Sequence, residues 1–195
     1  MSLTGKNNEE KIWNFLTGKG LNSYGAAGLM GNLFAESGLN PHNLQNTYEK
    51  KLGYTDNSYT EAVDSGKYTG FTHDSAGYGL AQWTYWSRKE ALLNYVKAAG
   101  ASIGDLETQL GFLWKELGEN YAAVLATLKK ATSVRQASDA VLLKYEQPKD
   151  QSASVQTKRA SYGQTYFDKY ATKTTNDTQG GKTMSNSPLV DCTVY

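Results

Sequence analysis

Apolar residues recur at spacings of three and four along most of the chain, a period that predicts a mostly helical protein. Ile12, Phe15 and Leu16 begin a first helix, with Asn7 and Asn8 as its cap region and the acidic pair Glu9 and Glu10 in its first turn. Leu106, Leu110, Leu113 and Leu117 mark another. Val134, Ala137, Val141 and Tyr145 mark a third, opened by Ser133 and Gln136 as a capping box and stopped by Pro148. A last amphipathic segment carries Tyr162, Tyr166, Phe167 and Tyr170. Residues 47 to 80 break this habit: they are rich in Tyr, Thr, Gly and Asp and hold no sustained 3.6-residue period. They predict a small β-hairpin or irregular lobe between residues 40 and 80, so the expected fold class is α+β, mostly helical.

One segment differs from the other helices in being apolar or small on nearly every face. SYGAAGLMGNLFAE, from Ser23 to Glu36, therefore reads as a central helix rather than a superficial one. Gly25, Gly28 and Gly31 line one side of it, where missing side chains would let a neighbour approach closely. Each glycine costs about 1 kcal/mol of helix propensity relative to Ala, so packing has to compensate. No GxGxxG or P-loop spacing is present to suggest a phosphate cradle instead. Glu36 follows Leu29 and Leu33 on the same side, and Gly38 with Asn40-Pro41 ends the helix just after it. A carboxylate in the last turn meets the negative end of the helix dipole and partial desolvation. Both are expected to raise its pKa towards what a general acid needs. The plain alternative is an ordinary glutamate at a helix end with its head in water.

A length of 195 residues suits one well-filled core, and the boundaries are expected at residues 1–171 for that domain, 172–187 for a linker and 188–195 for the opening strand of a second domain. The linker TKTTNDTQGGKTMSNS holds a single apolar side chain, Met184, whereas SPLVDCTVY is apolar and β-branched. A net charge of +1 argues against holding nucleic acid by counterion release. No stretch approaches the roughly 18 apolar residues of a membrane span, and MSLTGKNNEEK lacks a signal core. The expectation is a protein made in the cytoplasm without a signal peptide, which reaches any external target only after release. Cys192 is alone and makes no internal bridge. His42 and His73 lack ligand spacing, so neither a metal nor another cofactor is expected.

Residues 74 to 84, DSAGYGLAQWT, place Y-G-L-x-Q after the lobe. AES-GLNP followed by GYGLAQW resembles the lysozyme and lytic transglycosylase superfamily, and more closely the phage tail lysozyme or endolysin family that cleaves peptidoglycan. The resemblance covers roughly residues 7 to 171 and implies a lysozyme-like domain with bacterial peptidoglycan as partner. It implies that Glu36 is the catalytic acid, protonating the glycosidic oxygen between N-acetylmuramic acid and N-acetylglucosamine. Ser37, Tyr78 and Gln82 match cleft positions. Tyr145 and Glu146 stand where transglycosylases place a cleft-wall tyrosine, although YEQP departs from their usual pattern. SPLVDCTVY resembles the opening of an N-acetylmuramoyl-L-alanine amidase domain, which implies a monomeric glycosidase linked to a second catalytic domain and acting at the bacterial cell wall in lysis.

Hydrolysis by either standard route needs a second carboxylate, whereas a lytic transglycosylase manages with one Glu. The candidates are Asp56, Glu61, Asp64 and Asp74; Asp74, four residues before Tyr78, resembles the aspartate that goose-type lysozymes place ahead of this motif and is the first choice, ahead of Asp56 and Asp64, and the simpler role for any of them is to close a turn or cap a helix. Among the aromatics after the motif, Trp83 is the expected sugar contact, ahead of Tyr85 and Trp86, with core packing as the alternative. The reading is thus a muramidase. The alternatives are a lytic transglycosylase on the same bond, or an inactive wall-binding or tail module.

Overall fold

The computed structural model describes residues 2–177, in which the elements run α1 (Asn8–Gly18), α2 (Ser23–Ser37), α3 (Asn46–Leu52), α4 (Asp56–Asp64), α5 (Trp86–Ala99), α6 (Leu106–Glu119), α7 (Ala122–Lys130), α8 (Val134–Val141), a π-helical turn (Leu142–Glu146) and α9 (Ala153–Asp177). The four periodic segments of the sequence are α1, α6, α8 with the turn after it, and α9. Asn7 caps α1 by accepting from the Glu10 amide, as the sequence predicts. Ser133 caps α8 through the Gln136 amide, but the Gln136 side chain reaches back to the Thr132 amide rather than closing a box on Ser133.

Helix α2 is the axis of the molecule, and its glycine side does what the spacing predicts. A Cβ on Gly25 would fall 2.0 Å from the Leu128 carbonyl oxygen on α7. One on Gly28 would fall 2.5 Å from the Ala137 Cβ on α8, and one on Gly31 2.5 Å from the Arg159 oxygen and Gly163 nitrogen on α9. Three helices therefore lean directly on one backbone, and tight packing offsets the poor propensity of the glycines. Gly38 ends α2 in the left-handed conformation at φ 61°, which only a residue without Cβ adopts readily.

The lobe between residues 40 and 80 is not a β-hairpin. Among the described residues there is no sheet, only the isolated bridges Leu44–Tyr78 and Tyr78–Trp83. Two short helices occupy its first half. Thr55 and Ser58 form a capping box for α4, and Tyr59, Ala62 and Val63 supply one buried helical face. That stripe is too short to stand out among the surrounding turn-forming residues, which misled the period reading. The second half, residues 65 to 85, is irregular as expected, with turns and bridges alone.

Helix α9 runs on to Asp177, past the expected domain limit at residue 171. The rest of the predicted linker and the predicted stub at 188–195, with Cys192, lie outside the described residues. Among the described residues no helix is long and apolar enough to cross a membrane.

Candidate active site

A cleft of about 790 Å³ opens where the C-terminal end of α2, the segment after Tyr78 and the π-helical turn meet. Glu36, Ser37, Gln82 and Glu146 line it, so the structure brings together four of the sequence-predicted site residues. Ser37 fastens the two motifs to each other: its hydroxyl donates to the Leu80 carbonyl at 2.9 Å and to Leu33 of its own helix at 3.1 Å. Gln109 of α6 holds the same segment from the other side, accepting from the Leu80 amide at 2.9 Å. Gln82 donates to the Asn43 carbonyl at 3.0 Å and to the Asn43 side chain at 2.9 Å, drawing the loop after α2 onto the same wall.

Glu36 has the partial burial that the sequence argument invoked, with its side chain 19% exposed, and also a partner that the argument lacked. Arg159 of α9, itself 10% exposed, places a guanidinium nitrogen 2.5 Å from its Oε1. The close approach of α9 at Gly31 brings this arginine within reach. Asn32, one turn back on α2, accepts a second, longer contact from it at 3.3 Å.

Glu146 arrives by a different route. The α8 backbone meets Gly28, and after Val141 the helix widens into a π turn, closed by the Gln147 amide on the Leu142 carbonyl at 2.9 Å. Such turns recur at functional sites because they re-aim a side chain without ending the helix. Gln147 then takes φ 47°, and Gln82 across the cleft takes φ 46°; neither is a glycine, so both cleft walls hold strained backbone. The Glu146 Oε1 is buried and has no hydrogen-bond partner. Burial pushes this carboxyl well above the usual range, and the neighbouring charge of Glu36 pushes the same way, against Arg88 and Arg159. A buried carboxyl with a free oxygen thus lies in the same cleft as an ion-paired one.

Behind the cleft stands a network that sequence reasoning missed. Glu116 of α6 accepts from Arg88 at 2.7 and 2.8 Å, from Trp83 Nε1 at 3.1 Å and from the Tyr145 hydroxyl at 2.6 Å. Burial alone would raise its carboxyl, but the hydrogen bonds and charge of Arg88, aided by Tyr145 and Trp83, hold it below its ordinary range. Trp83 and Tyr145 are consequently not cleft contacts. Both are fully buried, their polar ends turned to Glu116. Tyr78 is buried too, its hydroxyl 2.6 Å from Thr60 Oγ1 on α4. The structure therefore places all three motif aromatics in the wall behind the cleft rather than on its surface.

Asp74 also lies away from the cleft. Its side chain is 3% exposed and pairs at 2.6 Å with Lys89, whose side chain is 0% exposed. It further accepts from Tyr59 at 2.5 Å, Tyr68 at 3.1 Å and the Ala76 amide at 2.9 Å. Burial pulls the Lys89 ammonium below its ordinary range, against the hydrogen bond and charge of Asp74. An acid so fully engaged holds the lobe together and leaves no oxygen for a substrate. Asp56 is likewise committed, to Asn40 and the Leu44 amide, and Asp64 to Ser102 and the Ile103 amide.

No curated protein matches the chain. The family comparison agrees with the two-motif geometry: the phage tail lysozyme model matches residues 7–170, and the chain belongs to that family, whose lysozyme-like function is directed at peptidoglycan.

Proposed function

We propose that this domain is a muramidase, cleaving the glycan strand between N-acetylmuramic acid and N-acetylglucosamine. The observation that carries the reading is the pair of carboxyl groups in one cleft, Glu36 ion-paired to Arg159 and Glu146 buried with an unpartnered oxygen. Two carboxyl groups in contrasting environments are what acid-catalysed glycoside cleavage uses. Glu36, at the end of α2, faces the glycosidic oxygen and delivers a proton to it as its bond to the anomeric carbon breaks; a water then adds to that carbon, and the proton it gives up restores the acid. Glu146, whose burial pushes its carboxyl well above the usual range, is the proton donor within the pair. Arg159 holds the Glu36 carboxylate in place while the cleft is empty and stabilises it again after the proton has left.

The engagement of Asp74 with Lys89 favours a second reading, lytic transglycosylation, because that chemistry needs no further ionised carboxylate and lets the sugar's own hydroxyl attack. Mass spectrometry of the muropeptide products separates the two: a free reducing end means hydrolysis and a 1,6-anhydro end means transglycosylation. Failure of the intact protein to release any glycan fragment from purified peptidoglycan would reject both and leave a wall-binding module.

A further inference from the structure

Tyr85 and Trp86, at 64% and 47%, are the most exposed large hydrophobic side chains among the described residues. Tyr24 and Phe34, the next most exposed aromatics, pack on α9, Tyr24 stacked on Phe167 at 4.6 Å and Phe34 edge-on to Tyr162 at 4.8 Å. Tyr85 and Trp86 instead meet each other at 6.1 Å, and Trp86 lies nearly parallel to His73 at 6.1 Å and 25°. These three rings border a second hollow of about 440 Å³ with the hydroxyls of Thr72, Ser75 and Thr84. Thr84 and Tyr85 line both this hollow and the main cleft, so the two adjoin across these residues.

The local sequence makes little sense as structure alone. Tyr85 is the N-cap of α5 and makes no side-chain cap hydrogen bond, where Ser, Thr, Asp or Asn would satisfy a free amide. A protein that gives up a helix cap to expose an aromatic ring breaks a local rule, and such breaks cluster where a site needs the residue. The lining carries no Asp, Glu, Lys or Arg. Flat aromatic faces with a neutral hydroxyl rim match pyranose rings, which present C–H faces and equatorial polar groups. They do not match the carboxylates of a stem peptide.

We infer that His73, Tyr85 and Trp86 form a second saccharide-binding surface that continues the main cleft and takes the glycan strand beyond the bond facing Glu36. This rests on the reading of the main cleft as a glycan site. The surface makes affinity depend on chain length, since a short oligosaccharide fills only the cleft and a long one also covers the rings.

The test is calorimetric titration of the full chain carrying Glu36→Gln with peptide-free strands of alternating N-acetylglucosamine and N-acetylmuramic acid, from disaccharide to octasaccharide. Trp86→Ala and Tyr85→Ala are each expected to weaken octasaccharide binding about tenfold, in line with the loss of one aromatic stacking contact, and disaccharide binding less than twofold. Trp86→Phe is expected to restore most of the loss, which a merely structural role at the start of α5 would not produce. Equal octasaccharide affinity in all variants, with cleavage by the Glu36 protein intact, would overturn this surface and leave the muramidase reading standing. No binding at any length together with no cleavage would overturn both. A loss confined to peptide-bearing sacculi would assign the rings to the stem peptide and reject the saccharide proposal.

Discussion

The Asp74 cluster and the Glu36 cleft each bury carboxyl groups beside basic side chains, yet they are built on opposite principles. Around Asp74 every oxygen has a donor: Lys89, two tyrosine hydroxyls and a backbone amide converge on it. In the cleft, Glu146 is left with an unpartnered oxygen, Gln82 and Gln147 hold strained backbone, and Tyr85 caps nothing. A fully satisfied acid cross-links the lobe, whereas an incompletely satisfied one is, on the proposed reading, the acid that exchanges a proton with the glycan.

The sharpest way to break this comparison is Glu36→Gln. The amide keeps the shape but has no proton to give, so cleavage of peptidoglycan is expected to fall by about a thousandfold, within the range for a lost general acid. A turbidity assay reads it directly, and lysis at the parent rate would remove Glu36 from the chemistry.

Asp74→Asn tests the other region and should act on stability instead. Removing one partner of a buried ion pair leaves the Lys89 charge uncompensated and costs about 3 kcal/mol. Chemical denaturation should show this as a lowered midpoint, while turnover per folded molecule stays within about twofold because the cleft does not contain the residue. A variant as stable as the parent but inactive would return Asp74 to the reaction.

Glu146→Gln is expected to give a smaller, pH-dependent change in two measurements. Turnover at neutral pH should drop about tenfold to a hundredfold, and the alkaline limb of the activity profile should move to lower pH, because the raised proton-holding group has gone. Stability should move the opposite way. A carboxyl whose folded pKa lies above its ordinary 4.5 contributes fully below that value, and its contribution is lost as pH rises towards the folded pKa. The variant lacks that loss, so its stability relative to the parent should improve by about 1.4 kcal/mol for each pH unit across that window. A pH-independent difference would mean that Glu146 is charged in the native protein.

The smallest expected effect is a gain. Tyr85→Ser supplies the missing cap of α5 and should stabilise the fold by about 1 kcal/mol while weakening the grip on long glycan strands. Thermal unfolding measures the first part, and unchanged stability would mean that the Tyr85 ring contributes as much as a cap.

Much of the framework was legible because it rests on local signals. The Gly25, Gly28 and Gly31 spacing announced close helix contacts, Gly38 and Pro41 marked the end of α2, and ES-GLNP with Y-G-L-x-Q located one side of the cleft. The contents of the cleft were less legible. Arg159 sits in a helix face whose polar residues look ordinary from sequence, and only the backbone approach at Gly31 aims it at Glu36. Gly163, one turn further along α9 and pressed against α2, was the available clue. Asp74 misled for a similar reason: nearness to a motif in sequence carries no information about a buried lysine 15 positions later. The short α4 was missed because one buried stripe of Tyr59, Ala62 and Val63 is too brief to establish a period.

The π turn between Leu142 and Glu146 also makes the cleft sensitive to chain length in a way that side-chain substitution would not reveal. Its i to i+5 hydrogen bond accommodates one residue more than an α-helical turn between the Ser133 cap and Pro148. Deleting a single residue there would let the helix close regularly and rotate the few residues between the deletion and Pro148 by about 100°. Glu146 would swing off the cleft with its side chain chemically intact. The acid pair is therefore encoded partly as a residue count, and a homologue one residue shorter at this turn would keep the fold and its glutamates yet lose the pairing.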